Sequence, residues 1–343
     1  MFKIFDKRTT EAVYIAEIGL NHNGSFDVAM QMIDAASRAG AQGVKFQSFN
    51  PQLMNSPYTK SLMERGIDDV IDSSIEVFFK ALILNPDEMK RLQVYAESLG
   101  LVFFSAPFDI ESLDMLLNLD VPLIKIASSE ITNIPLLEAV AKSNKDVLLS
   151  TGMASDEEVA RAHDILKKGG DVILLHCVSL YPTDFSEANL KRISHLKENN
   201  NCEVGLSDHS KDGAVVQAAA ALGCRIFEKH FTLSKDFDCP DKDVSLDEEE
   251  FSQMIASVEK TIAIMGTGQS QRNEKEMAVA RGARKSLFFA KDISEGHIIE
   301  EKDILLMRPG LGLPPEKIKD CVGKRLLTNV AQGKMIRFED LEV

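Results

Sequence analysis

Eight short runs of β-branched, leucine and aromatic residues, each separated from the next by a longer amphipathic or polar stretch, constrain this chain more than any other feature. They fall at 13–16, 44–46, 102–104, 123–126, 147–149, 172–175, 204–206 and 225–228. Such alternation is the pattern of βα units in a parallel sheet. Eight units close a (β/α)8 barrel, a fold of about 250 residues, so an α/β TIM barrel is predicted. Between the runs the helical spacing is readable. Met30, Ile33, Asp34 and Ser37 mark a helix over 26–39 that Gly40 stops. Pro86-Asp87-Glu88 opens another, with proline in the first turn and acids favouring the dipole. The segment 50–84 is too long for a simple connection and follows a strand, so an insertion on the active-site side is expected.

The pattern changes near Ile264. Residues 265–271, MGTGQSQ, begin a polar linker, and from Ala283 short strand-like runs at 286–289 and 304–307 alternate with turns at Glu295-Gly296, Arg308-Pro309-Gly310 and Gln332-Gly333. The expected division is a barrel at 1–265, a linker at 266–282 and a small β-rich module at 283–343. A composition of 44% hydrophobic and 27% charged residues supplies a sizeable core. No apolar run approaches the roughly 18 residues of a membrane span, and the first residues, MFKIFDKRTT, lack the apolar stretch of a signal peptide, so a cytoplasmic protein is expected. The five cysteines lack CxxC spacing and suggest neither disulfides nor structural zinc. A net charge of -14 argues against nucleic acid as a partner.

In such a barrel the chemistry sits where the strands end, and here nearly every run ends in reactive groups. The ends carry Glu17, Lys45 with Gln47, Ser105, Lys125 with Ser128 and Glu130, Ser150 with Thr151, His176 with Ser179 and Tyr181, Ser207 with His209, and Glu228 with His230. His209 and His230 end neighbouring strands. Paired imidazoles suit a divalent transition metal, with coordination positions left for water or substrate, although either could be a hydrogen-bonded core histidine. Lys45 and Lys125 follow apolar strand residues, where lysine is rare, and two enclosed ammonium groups require anions. A phosphorylated carboxylic acid would meet both, with hydroxyls and backbone donors from Ser128, Ser150, Thr151, Gly152 and Ser207. A Schiff-base lysine of a class I aldolase is the competing chemistry.

A set of motifs then joins these ends: EIGLNHNGS at 17–25, GVKFQ at 43–47, LIKIASSE at 123–130, STGM at 150–153, SLYPT at 179–183, GLSDHS at 205–210, EKHF at 228–231 and PD at 240–241. In this order they resemble the bacterial sialic acid synthases across nearly the whole chain. MRPGLGL at 307–313 resembles the antifreeze-like, or SAF, domain of those proteins. The resemblance implies a transferase that condenses phosphoenolpyruvate with an N-acylmannosamine-type amino sugar and releases phosphate. Carried over by position, Lys45, Lys125, Ser128, Ser150, Ser179 and Ser207 become phosphoenolpyruvate ligands. Gln47, Tyr181, Asp241 and Arg308 become sugar contacts, and His209 and His230 ligands of a divalent metal, Mn2+ by expectation with Mg2+ or Co2+ as alternatives. Glu130 is the implied acid/base and Glu17 lines the same mouth. Because Arg308 lies beyond the linker, the resemblance also implies a domain-swapped homodimer.

Two positions depart from the family pattern. Ser179 stands where those enzymes tend to have asparagine, and Cys239 where they tend to have glycine before Pro-Asp. The acceptor sugar is thereby left open among N-acetylmannosamine, the diacetamido sugars and a spore-coat sugar. Two other functions stay in view: a class I aldolase using Lys45 or Lys125, and a catalytically inactive binding protein.

Overall fold

The structure, a computed structural model, describes residues 12–54, 75–269 and 273–342. Eight parallel strands form a closed barrel in chain order: β1 (Val13–Gly19), β2 (Gly43–Ser48), β3 (Val102–Pro107), β4 (Leu123–Ile126), β5 (Asp146–Ser150), β6 (Val172–Cys177), β7 (Val204–Asp208) and β8 (Ile226–His230). Each overlaps one of the eight runs. The (β/α)8 expectation is met. β1 closes the barrel against β8, with Ile15 opposite Glu228 and Glu17 opposite His230, and it also sets Glu17 opposite Lys45 of β2.

Two-residue alternation along these strands sorts the side chains into layers. Val13, Ile15, Phe104, Leu123, Leu148, Ile173, Leu175 and Ile226 form one buried apolar cluster inside the barrel. Tyr14, Ala16, Val44, Phe46, Phe103, Ile124 and Phe227 belong to the larger cluster shared with the helices. One or two steps beyond the inner apolar layer the same inward faces become polar: Glu17 after Ile15, Lys125 after Leu123, Ser150 after Leu148, Glu228 after Ile226. The strand interior thus ends in a floor of hydrocarbon beneath a polar layer.

The surrounding helices begin and end where their caps dictate. Ser25 accepts from the Val28 N–H at the start of Phe26–Ala39, and Gly40, at φ 93°, ends it in the left-handed conformation that glycine adopts without a Cβ penalty. Asn85 and Glu88 form a capping box on Pro86–Ser98. Of the expected insertion over 50–84, residues 55–74 lie outside the described residues. Its described parts include the helices Pro51–Met54 and Ile75–Ala81.

The outward face of β7 and β8 carries an ion pair. Lys229, fully buried, places Nζ 2.6 Å from Asp208 Oδ2 and donates to the Ser210 carbonyl, while Ser210 Oγ donates to the same Asp208 oxygen at 2.7 Å. The pair lies between Ser207 and His209 in one strand and between Glu228 and His230 in the other, so it fixes the spacing of two strand ends whose inward neighbours are functional candidates.

The chain divides into two compact units, 1–266 and 267–343. In the second, a helix covers Glu274–Ala283, within the stretch read as a linker, capped by Asn273. It is followed by β9 (Ser286–Phe289) and β10 (Ile304–Met307), which pair antiparallel with Ile304 opposite Phe289. Leu287, Phe289, Ile293, Ile299, Ile304, Leu326 and Ile336 fill a core of their own. Among the described residues no helix is long and apolar enough to cross a membrane.

Breaking a buried pair by removing one partner strands a charge, at a cost of about 3 to 5 kcal/mol. Lys229→Met is therefore expected to destabilise the protein by that amount in chemical denaturation. The double variant Asp208→Leu with Lys229→Met should recover part of the loss, and additive effects would show that the two side chains do not interact.

Candidate active site

A cavity of about 490 Å³ opens over the polar layer. It is lined by twelve of the fourteen candidates: Glu17, Lys45, Gln47, Lys125, Ser128, Ser150, Ser179, Tyr181, Ser207, His209, His230 and Asp241. Glu130 and Arg308 are not in the lining. Glu130 sits half-buried at the end of a short 3₁₀ turn, Ser128–Glu130, where its carboxylate accepts from Asn133 Nδ2 at 2.8 Å and Ser129 Oγ at 3.2 Å. Arg308 is an exposed residue just after β10 in the second unit.

Four charged groups form the base of the cavity. Lys45 Nζ is 2.6 Å from Glu17 Oε2 and 3.8 Å from Glu228 Oε1, and Lys125 Nζ is 3.8 Å from that same Glu228 oxygen. Each of these side chains is at most 5% exposed. Lys125 also donates to Ser150 Oγ at 2.7 Å and to the Ile126 carbonyl at 3.1 Å. Ser207 Oγ donates to Glu228 Oε1 at 2.9 Å, and Gln47 Nε2 to Glu17 Oε1 at 3.1 Å. The two ammonium groups thus meet carboxylates of the chain itself, which reasoning from the lysines alone had left to a ligand. Glu228 is the residue that such reasoning left without a role. Its signal was its position two residues before His230, on the same inward face.

The four do not titrate alike. Burial opposes the Lys45 charge, but Glu17 and Glu228 outweigh it and hold the ammonium group above its ordinary pKa. Burial prevails at Lys125 and pushes its pKa down. Burial also raises Glu17, aided by Glu228 and opposed by Lys45. At Glu228 burial acts upward, but Lys125 and Lys45 prevail and hold the carboxyl below its usual range. The surroundings thus favour the charged forms of Lys45 and Glu228, whereas burial works against the charges of Glu17 and Lys125. Two carboxyl groups pushed apart in this way are a recurrent arrangement for acid–base work.

Above this base, the ring centroids of His209 and His230 lie 5.3 Å apart, and Tyr181 stands 4.2 Å from the first and 5.8 Å from the second. His209 Nδ1 is 2.9 Å from the Val178 carbonyl, an arrangement that fixes the ring and turns the other nitrogen elsewhere. His230 Nδ1 is buried with no hydrogen-bond partner, and the nearest anion is Asp241 Oδ2 at 3.3 Å. Burial holds the His230 imidazole well below its ordinary pKa and so neutral. Among the described residues no cluster of three His, Cys, Asp or Glu side chains is arranged to hold a metal ion. Two adjacent imidazoles, one with an orphaned buried nitrogen, nonetheless fit an open catalytic metal site in which water or substrate completes the coordination.

Asn21 ties the rim together. Fully buried, it donates from Nδ2 to the Phe231 carbonyl at 2.8 Å and to Ser245 Oγ at 2.9 Å, while its Oδ1 accepts from the Asp241 N–H at 2.9 Å. Ser245 Oγ in turn donates to the Asp241 carbonyl at 2.7 Å. The loop after β1 therefore sets where Asp241 stands.

With this geometry in view, comparison with known proteins is informative. The NeuB family model matches residues 32–270, and the SAF domain model matches 284–342. The chain belongs to the NeuB family. An N,N'-diacetyllegionaminic acid synthase of Campylobacter jejuni is 36% identical over 331 residues, 95% of this chain and 99% of that protein. A pseudaminic acid synthase from another strain of that organism is 34% identical over 330 residues, 95% of each. Among solved structures, a putative spore coat polysaccharide biosynthesis protein E from Chromobacterium violaceum superimposes with a TM-score of 0.83 at 27% identity, covering 97% of this chain and 100% of that one. Synthases of the NeuB family generally use a divalent metal.

One backbone position tests how closely the serines are packed. A Cβ on Gly152 would lie 2.3 Å from Ser179 Oγ and 2.8 Å from Ser128 Oγ, and the Gly152 N–H donates to Ser128 Oγ at 3.0 Å. Gly152→Ala is expected to cost about 1 to 3 kcal/mol of stability through overpacking. An unchanged melting temperature would show that both serines can move aside.

Proposed function

We propose that this NeuB-family protein condenses phosphoenolpyruvate with an N-acylated amino sugar in its open-chain form, giving a nonulosonic acid and inorganic phosphate. The observation that carries this reading is the pairing of Lys45 and Lys125 with two carboxylates of unequal basicity beneath a ring of serines and two imidazoles. In this scheme Lys125, Ser128, Ser150, Ser179 and Ser207 hold the phosphate and carboxylate of phosphoenolpyruvate, with Lys45 as the second cation. An arriving anion raises both carboxyl groups further, so Glu17, already pushed up, takes up a proton and can return it.

Carbon–carbon bond formation joins the methylene carbon of phosphoenolpyruvate to the sugar aldehyde carbon, whose oxygen gains a proton. Water then adds to the cationic carbon bearing the phosphate ester and loses a proton, and phosphate departs as its bond to that carbon breaks. In this scheme Glu17 moves the proton of the attacking water. Glu130 is assigned acid/base duty at the rim, toward a sugar that extends out of the cavity. Gln47, Tyr181 and Asp241 orient that sugar. A divalent metal on His209 and His230, Mn2+ in the first instance, would supply Lewis acidity to the aldehyde oxygen.

The assembly we propose is a homodimer in which the partner's Arg308 clamps the acceptor through its forked donors. Its support is the exposure of Arg308 on a separate unit together with the sequence resemblance. A Schiff-base aldolase is the second reading, favoured by the lowered pKa of buried Lys125. Borohydride trapping of pyruvate on a lysine would establish it in place of the synthase.

The central experiment is phosphate release from phosphoenolpyruvate across a panel of acylamino sugars. Activity is expected to vanish after chelation and return with Mn2+, and full activity in chelator would remove the metal from the scheme. Glu17→Gln should lower kcat by about 10² to 10⁴-fold, the contribution of a positioned acid–base group. Mixing inactive Lys125→Met and Arg308→Ala proteins should restore about a quarter of wild-type activity, because random exchange pairs them into dimers with one intact site. No recovery after subunit exchange would exclude the shared site.

A further inference from the structure

A second cavity, of about 290 Å³, adjoins the first and lies between the loops that follow β5 and β6. Met153, Cys177 and Ser179 line both, so the two chambers share a wall that includes one of the serines assigned to phosphoenolpyruvate.

The polar groups of this chamber differ from those of the catalytic cavity. His176 lines it from β6, where it alternates with the inward-facing Leu175. It is 2% exposed, and its Nε2 lies 2.7 Å from the Ala188 carbonyl. A carbonyl only accepts, so Nε2 carries the proton. Burial lowers the pKa of the imidazole and favours its neutral form, which leaves Nδ1 a bare acceptor. That atom is buried and has no hydrogen-bond partner.

Arg192 supplies the opposite character. Its Nη2 donates to the Ala154 carbonyl at 3.3 Å and stands 2.9 Å from Asp156 Oδ1, while Asp156 Oδ2 lies 2.7 Å from His195 Nε2. Both contacts use one nitrogen, and the guanidinium keeps the donors of Nε and Nη1 for a guest. Asn189, exposed at the lip with φ 42°, adds an amide. Glu187 also lines the chamber, but it is exposed and accepts from its own loop at the Asp184 N–H, 3.4 Å away.

A guest must therefore bring one donor for Nδ1 and several acceptors for the guanidinium. A carboxylate or sulfate brings acceptors without a proton at neutral pH. A neutral polyol lacks the charge that draws the strong hydrogen bonds of a guanidinium. Hydrogen phosphate carries a single O–H and further oxygens that accept, and so meets both demands. We infer that this chamber is a second anion site, which takes inorganic hydrogen phosphate through donors of Arg192 and Asn189 and gives its O–H an acceptor in His176 Nδ1. The site is argued from its own residues. Only the source of the ion, phosphate released in the neighbouring cavity, rests on the synthase reading.

Titration calorimetry of inorganic phosphate into the full chain, saturated with phosphoenolpyruvate and without acceptor sugar, isolates this site. Phosphate is expected to bind there still. Its affinity should fall at least about tenfold in Arg192→Met and in Asn189→Gly, the loss expected when a charge-assisted hydrogen bond is removed. Glycine suits the positive φ of residue 189, so the second variant keeps the test open if the first does not fold. Sulfate has the same charge but no proton, and would set lone pairs against Nδ1, so it should bind at least about tenfold more weakly than phosphate. Phosphate binding abolished by phosphoenolpyruvate, undiminished in the folded variants, or matched by sulfate would overturn the inference. No turnover enters these measurements, so failure to release phosphate with any acylamino sugar would count against the proposed function alone.

Discussion

The polar layer of this barrel depends on four charges that burial alone would not tolerate. An isolated ammonium or carboxylate this far from water would neutralise or force the site open. Glu17 of β1, Lys45 of β2, Lys125 of β4 and Glu228 of β8 meet only because the sheet closes, bringing β1 against β8. The apolar layer beneath them excludes solvent and gives each contact its strength, while hydrogen bonds from Gln47, Ser150 and Ser207 occupy further lone pairs and protons. Closure of the fold and creation of the charged base are therefore one event. A substitution that opens the seam between β1 and β8 would be felt in the electrostatics before it was felt in the shape.

Much of this was legible in the residue order, for a reason that can be stated. Inward-facing positions of a barrel strand recur every two residues, so Val13, Ile15 and Glu17, or Leu123 and Lys125, announce both the strand and the direction of the polar group that ends it. The strands extend past the apolar runs because polar residues continue them: β1 to Gly19, β2 to Ser48 and β3 to Pro107. Glu228 shows the limit of reading by type. It lies inside EKHF, where the histidine attracts attention, and only register puts it on the face shared with Lys45 and Lys125.

Other features carried no such signal. Glu130 follows a 3₁₀ turn after β4, and once the strand period is lost, sequence spacing no longer gives direction, so its place outside the cavity lining could not be read. Phe78 and Phe79, which also line the cavity, come from a helix inside an insertion, whose register against the barrel is set by packing against Phe49 rather than by any repeat. Arg308 belongs to a separately packed unit and enters the site only by resemblance.

Asn21 has a consequence for how such a protein diversifies. Its amide holds the backbone on both sides of Asp241, at the Asp241 N–H and, through Ser245, at the Asp241 carbonyl. The intervening side chains, Cys239 and Lys242-Asp243 among them, are not part of that clasp. Mutation can therefore rewrite these side chains while the Asp241 backbone keeps its station, so the rim of the cavity can change from one descendant to another without the charged floor having to be rebuilt.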